Sequence, residues 1–542
     1  MNKKLLTDPF YGPLYQAYAS EELLEDAGFF DDTLSYDQLQ KVREDIHFLT
    51  TPLTKLVTNI ARMPGHATYA VLVTTGAFSP IHKGHIAMME AAKKRLEDDG
   101  KIVVGGYIVP GHDTYVSAKK NGEAAMDGAL RVDLAQQAVA ESQWLMIDPW
   151  AAQYASCELN FTTVLQRTEV YLKKHIPRKK IEVFYVFGED NGGFSKAFLF
   201  HGQAVCVDRD GVSRLQQQDK QAINKGRVRI ANSSFNASST AVRAGRHELL
   251  PAEIKRTYHS IGQERIPSDV TYGIRDDSSW ALSEWPVDAR AMGKALVEGI
   301  VKQLKIAMPT MPVSLLDLSV QQQEFTSFQR AFPSLLNLDV CMKSDDRLDI
   351  SRVFSMSDYQ ASPLRFVERP GTPLLDDQIA QLSANSYVYF DDDIASGSTL
   401  RYVSKLLKAH DIAITDSVSC VQTDRQLKNG QVLYDIVDAR DFLLGARDAG
   451  LVVELPDGSI GRVPYMAPYV NLTTRSKIPP LKARSFSIAF WRLNVELFTA
   501  YAPQLTLRDA DPAVQKAFIY MGFKKATPLS VIAEKHLHYL TH

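Results

Sequence analysis

From Tyr69 onward the chain switches repeatedly between short continuous apolar runs and longer stretches whose apolar positions recur at helical spacing. AVLVTTG at 70–76 reads as a buried strand, and GHIAMMEAAKKRLEDDG at 84–100 as a helix closed by Gly100 at its C-cap. IVVGGYIV at 102–109 is a second strand, ALRVDLAQQAVAES at 129–142 a helix, and WLMI at 144–147 a short strand. Phe161, Val164, Leu165, Thr168, Tyr171 and Leu172 then share one helical face, followed by the strands IEVFYVF at 181–187, QAVCV at 203–207 and RVRIA at 227–231. This alternation predicts an α/β, doubly wound parallel sheet with helices on both faces. Ligands of such sheets sit at the carboxyl ends of the strands.

Before Tyr69 the pattern is different. Leu39, Val42, Ile46 and Leu49 recur at helical spacing among acidic residues, and Met63, Pro64 and Gly65 then break the pattern. Residues 1–65 are expected to form a helical extension that packs as a cap on the next domain. After Ile266 polar loops and a second alternation begin, whose clearest strand is YVYF at Tyr387 to Phe390. The expected organisation is therefore an extension (1–65), a first domain (66–265) and a second doubly wound domain (266–542).

Composition changes this picture little. Hydrophobic residues at 45% and charged residues at 23% are ordinary for a globular chain of 542 residues. A formal net charge of -2 gives no overall pull toward nucleic acid or anionic lipid. Cys157, Cys206, Cys341 and Cys420 form no CxxC pair, so neither structural zinc nor a disulfide framework is expected. No apolar run reaches membrane-spanning length, and a cytoplasmic protein is expected, with small molecules as its partners and oligomerisation left open.

The first chemical constellation lies between the first strand and first helix: Gly76, Ala77, Phe78, Ser79, Pro80, Ile81, His82, Lys83, Gly84 and His85. Gly76 permits close backbone approach, and amides at a helix start offer free donors to an anion. His82 and His85 flank the same turn, so both imidazoles can point at one polyphosphate. A second element, Ser238, Ser239, Thr240 and Arg243, precedes another helix and makes a second anion site. Alone, SST is also an ordinary N-cap.

These motifs, with VPGHDTY at 109–115, Arg131, SQWLMIDPW at 142–150, GED at 188–190 and VCVDR at 205–209, resemble the nucleotidylyltransferase superfamily. They look most like NMN adenylyltransferases of the eukaryotic kind, over roughly residues 69–262. The resemblance implies in-line attack of a mononucleotide phosphate on the α-phosphate of ATP, with Mg2+ held mainly through the phosphates and pyrophosphate released. It implies that His82, His85 and Arg243 are catalytic, and that Gly76, Phe78, Ser79, Lys83, Gly84, Ser239 and Thr240 bind ATP. Asp190 would meet a ribose and Trp144 would stack on the base of the mononucleotide, with Phe200 as a second aromatic. Two positions depart from the family pattern: Met146 stands where an acid is frequent, and Ala151 replaces the glutamate that follows Trp150.

The second constellation, YVYFDDDIASGST at 387–399, reads as a strand ending in acids, a loop of small hydroxyl residues, and the helix LRYVSKLLKAH. Asp391 and Asp392 can accept paired hydrogen bonds from ribose hydroxyls, while Ala395, Ser396, Gly397, Ser398 and Thr399 can wrap a 5′-phosphate. This resembles the PRPP loop of type I phosphoribosyltransferases, although Asp393 takes a position usually apolar and Ala395 one where some members carry aspartate. A phosphoribosyltransferase makes a mononucleotide from a base and PRPP, and an adenylyltransferase turns it into a dinucleotide such as NAD. The sequence thus predicts a bifunctional nucleotide enzyme. The competing reading is an adenylyltransferase whose second domain senses PRPP or a nucleotide without turnover.

Overall fold

A computed structural model describes residues 7, 34–44, 48–63, 67–119, 126–199, 201–209, 220–235, 237–261, 270–354, 365–394, 397–421 and 432–541. Two compact units are present, residues 1–263 with 356–360 and 542, and residues 264–355 with 361–541. Of the expected features, Ile46, Pro64, Gly65, Phe200, Ala395 and Ser396 lie outside the described residues.

The first unit is built on six strands: β1 (Thr68–Gly76), β2 (Ile102–Pro110), β3 (Leu145–Ile147), β4 (Lys180–Gly188), β5 (Gln203–Asp208) and β6 (Val228–Asn232). Their order is β3-β2-β1-β4-β5-β6, and every pairing is parallel. The order reverses between β1 and β4, the point where doubly wound sheets open a crevice at their carboxyl ends. β1 is buried along Tyr69–Val73, as expected of a central strand covered on both faces. Helix Lys83–Asp98 buries Met88, Met89, Ala92 and Leu96, and Gly100 adopts φ of 77° just past its end, so the expected stop signal operates.

The stretch before β1 is fastened to this sheet. Helix Thr54–Ala61 buries Leu56 and Ile60. Lys55 Nζ donates to Val139 O (3.1 Å) and Leu145 O (2.8 Å), and Asn59 Nδ2 donates to Val104 O at 2.9 Å. Gly105 makes room for this helix, since a Cβ there would stand 3.0 Å from Leu56 Cδ1. Upstream, the Thr51 hydroxyl donates to buried Asp148 at 2.9 Å, Arg167 donates to Thr51 and Thr50, and Tyr107 OH donates to Pro52 O at 2.7 Å.

The second unit departs from the single doubly wound sheet expected of it. Its strands are β7 (Val270–Asp276), β8 (Val313–Asp317), β9 (Leu335–Asn337), β10 (Ile350–Phe354), β11 (Arg365–Glu368), β12 (Ser386–Asp393), β13 (Ala413–Val421), β14 (Val432–Asp438), β15 (Leu451–Glu454) and β16 (Ile460–Val463). They form two three-stranded parallel sheets, β13-β12-β9 and β14-β7-β8, and a mixed sheet β11-β10-β15-β16. Helices Pro480–Tyr501, Pro512–Tyr520 and Leu529–Thr541 complete the unit. The antiparallel hairpin pairs, β10 with β11 and β15 with β16, are what local strand–helix alternation did not foretell.

Candidate active site

β1 ends at Gly76, and the chain turns through Phe78, at φ of 44°, into helix Lys83–Asp98. The turn is held from beneath by Arg131, which is completely buried. Its guanidinium donates to Ala77 O (2.8 Å), Gly111 O (2.7 Å), Met126 O (3.0 Å) and Asp113 Oδ1 (2.7 Å), and Gly111 N donates to Gly76 O at 2.8 Å. Arg131 thereby ties together the carboxyl ends of β1 and β2. It is a positioning residue rather than a ligand-facing one.

His82 is the N-cap of the helix, and His85 lies one turn in. Their rings stack at a centroid distance of 3.6 Å and 22° between planes, and Phe78 packs edge-on against His85 at 4.7 Å. The His82 amide donates to His85 Nδ1 at 3.2 Å. His85 Nδ1 must then be an acceptor, so a neutral His85 carries its proton on Nε2. Burial, and then the Arg209 charge, push the His82 imidazole down to about 4. Burial also holds His85 well below the ordinary histidine value, helped by His82, Arg209 and Lys119. Both rings are thus neutral in the free protein at physiological pH. His82 Nδ1 is buried without a partner among the described residues.

The second element closes on the first. Ser238 caps helix Ser239–Arg243 through a 3.1 Å bond from Ala241 N, so the ordinary capping role of this serine holds. Ser239 Oγ donates to Pro80 O at 2.9 Å, and Arg243 donates to Ser79 O (2.8 Å) and Thr240 Oγ1 (3.3 Å). Gly84 is required at this junction, because a Cβ there would stand 3.0 Å from His82 Nδ1 and 3.1 Å from Ala237 Cβ. Lys83 Nζ reaches Glu248 O at 2.9 Å.

The result is a cleft of about 590 Å³ at the carboxyl ends of β1 and β4, in the range of small-molecule sites. Gly76, Phe78, Ser79, His82, His85, Asp190, Ser239, Thr240 and Arg243 line it; Lys83 and Gly84 do not. Asp190 Oδ1 stands 3.5 Å from Arg209 Nη2 at the end of β4. Arg209 and Lys119 also line the cleft and were not singled out by sequence reasoning. Arg209 ends the VCVDR run, so its place after a strand was the available signal.

Trp144 requires a correction, since the structure does not bring it to the cleft. It precedes β3, its ring packs on Gly106, where a Cβ would come within 2.4 Å, and its Nε1 donates to Glu90 at 2.8 Å. It is a core residue. Trp150 is buried as well, with the Arg167 guanidinium 4.1 Å from its ring centroid. The aromatic wall of the cleft is instead Phe161, Tyr185, Phe187 and Phe194. Phe161 stacks on Phe194 at 4.4 Å and on Tyr185 at 4.6 Å.

In the second unit, Asp391 and Asp392 do stand at the end of β12, but both carboxylates are already engaged. Tyr389 OH donates to Asp391 at 2.8 Å, and Arg275 bridges Asp392 (2.8 Å) and Asp339 (2.7 Å). Asp392 therefore does not offer both oxygens to ribose hydroxyls, contrary to expectation. Burial, with crowding by Asp392 and Asp393, drives the Asp391 carboxyl well above its ordinary value. Burial raises Asp392 to about 6 against the opposing pull of Arg275. Beyond Gly397, at φ of 65°, helix Ser398–Lys408 begins without a side-chain cap. Arg440 similarly bridges Asp277 and Asp438. Neither arginine was flagged by the sequence: both partners of Arg275, and Asp277 as partner of Arg440, lie 64 to 163 residues away and leave no local pattern, although Asp438 is close to Arg440 along the chain.

Among the described residues no group of three or more His, Cys, Asp or Glu side chains is arranged to hold a metal ion. Among the same residues no helix is long and apolar enough to cross a membrane.

With this geometry in view, comparison with known proteins is informative. Residues 73–245 match the family model described as cytidylyltransferase-like. The chain is 33% identical over 125 residues to the nicotinamide/nicotinic acid mononucleotide adenylyltransferase of Arabidopsis thaliana, covering 23% of this chain and 50% of that protein. The corresponding rice protein (Oryza sativa subsp. japonica) is 36% identical over 126 residues, covering 23% and 48%. Nicotinamide/nicotinic acid mononucleotide adenylyltransferase 2 of Xenopus tropicalis is 40% identical over 84 residues, covering 15% and 26%. The chain thus spans half or less of the length of these relatives, and the stretch similar to the cytidylyltransferase-like family runs from within β1 to just past the helix that carries Arg243.

Proposed function

We propose that the first unit transfers the adenylyl group of ATP to a nicotinamide-type mononucleotide, forming a dinucleotide and releasing pyrophosphate. The observation that carries this reading is the closure of Ser239 and Arg243 onto the carbonyls of Pro80 and Ser79, beside the stacked His82 and His85. One cleft wall thereby gathers two helix starts, two imidazoles and a guanidinium, all suited to a polyphosphate. The mononucleotide phosphate attacks the α-phosphate, the bond to the bridging oxygen breaks, and pyrophosphate leaves with the negative charge. His85 Nε2–H and the Arg243 guanidinium stabilise that charge. No general base is needed, because the attacking group is already an anion. Mg2+ accompanies the phosphates as part of the substrate. Asp190 is assigned to a ribose, and Phe194 replaces Trp144 as the platform on which the base stacks. Incubation with ATP, Mg2+ and NMN or its acid analogue, followed by mass spectrometry of the products, tests this directly.

For the second unit we propose PRPP binding, with the helix start at Ser398 and Thr399 taking the 5′-phosphate and Asp391 a ribose hydroxyl. The pairing of Asp392 with Arg275 favours a binding and sensing role over phosphoribosyl transfer. Calorimetry with PRPP, beside turnover of PRPP against a panel of bases, separates the two. Heat without turnover supports the sensor, and pyrophosphate release supports the transferase.

A further inference from the structure

The end of the first unit's sheet opposite the cleft carries a second cavity, of about 520 Å³. It lies beside helix Phe161–His175, at the amino ends of β4 and β5 and the residue preceding β6. β4 is nine residues long, which separates the two ends of the sheet by roughly 25 Å. Helix positions Leu165, Thr168 and Leu172 are buried, and Glu169, half-buried beside them, lines the cavity. No group among the described residues is hydrogen-bonded or ion-paired to the Glu169 carboxylate. Burial alone lifts this carboxyl to about 7, with no nearby cation holding it down.

The rim has the opposite character. The charged or titratable groups facing the cavity besides Glu169 are Lys173 on the same helix, Lys179, Lys180 and Glu182 at the start of β4, His201 before β5, and Arg227 before β6. Glu182 is paired with Lys101 at 2.7 Å. Lys173, Lys180 and Arg227 are exposed and have no carboxylate partner among the described residues. A half-buried carboxyl with no protein donor lies in the same cavity as three cations with no protein anion, so the cavity carries complementary charges that no described protein group pairs. Neither stabilises the fold, since a partly desolvated unpaired carboxyl costs stability and clustered cations repel.

We propose that this cavity is a second ligand site, for a nucleoside monophosphate whose base presents adjacent N–H donors. Glu169 accepts the paired N–H groups as a carboxylate does, and Lys180, Arg227 and Lys173 take the phosphate. The proposal is independent of the adenylyl-transfer reading, whose residues lie at the other end of the sheet. GMP is the probe, since guanine carries two adjacent donors; guanosine and inorganic phosphate each supply half of the recognition. Calorimetry is run on the full chain at pH 8 in saturating ATP, so that the cleft is occupied, after ATP binding has been measured by itself.

GMP is expected to bind with a Kd of about 0.1 mM or tighter. Guanosine and phosphate are expected to bind at least about tenfold more weakly, the size of one lost charge-assisted contact. Glu169→Gln, and separately the double variant Lys180→Ala with Arg227→Ala, should each weaken GMP by about tenfold or more. Lowering the pH from 8 to 6 protonates a carboxyl near 7 and should weaken GMP by about tenfold beyond the loss from protonating the GMP phosphate itself, an excess that Glu169→Gln removes. Absence of GMP binding, loss of it on adding ATP, or binding unchanged in both variants overturns the proposal. If ATP fails to bind, the adenylyl reading falls while the GMP titration still decides this one.

Discussion

In the proposed adenylyl transfer, His85 concentrates the chemistry of the first unit at one atom. Its Nδ1 is committed to the His82 amide, so only Nε2–H remains to face developing charge. His85→Ala is expected to lower kcat by about 10² to 10³, the scale for one preorganised donor, with the melting temperature unchanged. Because both imidazoles are pushed far below the ordinary histidine value, kcat/KM, which reports free enzyme and free substrates, should show no histidine ionisation near 6.5, only that of the substrate phosphates. An inflection there that vanishes in His85→Ala would contradict the neutral assignment. Trp144 and Phe194 should separate cleanly in the same assays. Trp144→Ala should cost about 3 to 5 kcal/mol of stability and leave the ratio of the two KM values alone, whereas Phe194→Ala should raise KM for the mononucleotide more than for ATP. Glu169 adds a titration of its own. Its folded carboxyl lies at about 7 against 4.5 when unfolded, so the stability it contributes is present below 4.5 and lost as pH rises through 7. Glu169→Gln should therefore stabilise the fold at pH 8 by on the order of 1 to 3 kcal/mol, read as a higher melting temperature, and not at pH 4.

At the scale of elements, the strands and helices of the first unit were written in local patterns, and the structure follows them closely from β1 to β6. Buried parallel strands are continuous apolar runs, and helix Phe161–His175 shows the expected face, so period and punctuation suffice. The two turns that line the cleft, proposed to hold phosphates, were equally legible, because each leads into a helix start defined by neighbouring residues. Trp144 was not, since an aromatic beside a strand reads the same whether it faces a ligand or a glycine of the next strand. The ion pairs of Arg275, and that of Arg440 with Asp277, depend on contacts between distant segments and leave no local trace. The segment before β1 likewise acts at long range. Thr50, Thr51 and Pro52 satisfy Arg167, Asp148 and Tyr107 from outside the sheet. Thr51→Val should therefore cost about 1 to 3 kcal/mol by leaving buried polar partners unmatched, read as a lower denaturation midpoint at unchanged slope.

At the scale of the whole chain, the two units pose separable questions, since each has its own core and its own candidate ligand. Asp392→Asn removes one anion from beside Arg275 and should lower the stability of the second unit, while leaving adenylyl transfer by the first unit intact. Differential scanning calorimetry alongside the activity assay checks both halves of that expectation. The central claim is the adenylyl transfer itself, and product mass spectrometry after incubation with ATP, Mg2+ and NMN tests it most directly. The account predicts a dinucleotide mass and stoichiometric pyrophosphate, both strongly reduced in His85→Ala. ATP and mononucleotide recovered unchanged from the wild-type protein, across both the amide and acid forms of the base, would contradict it.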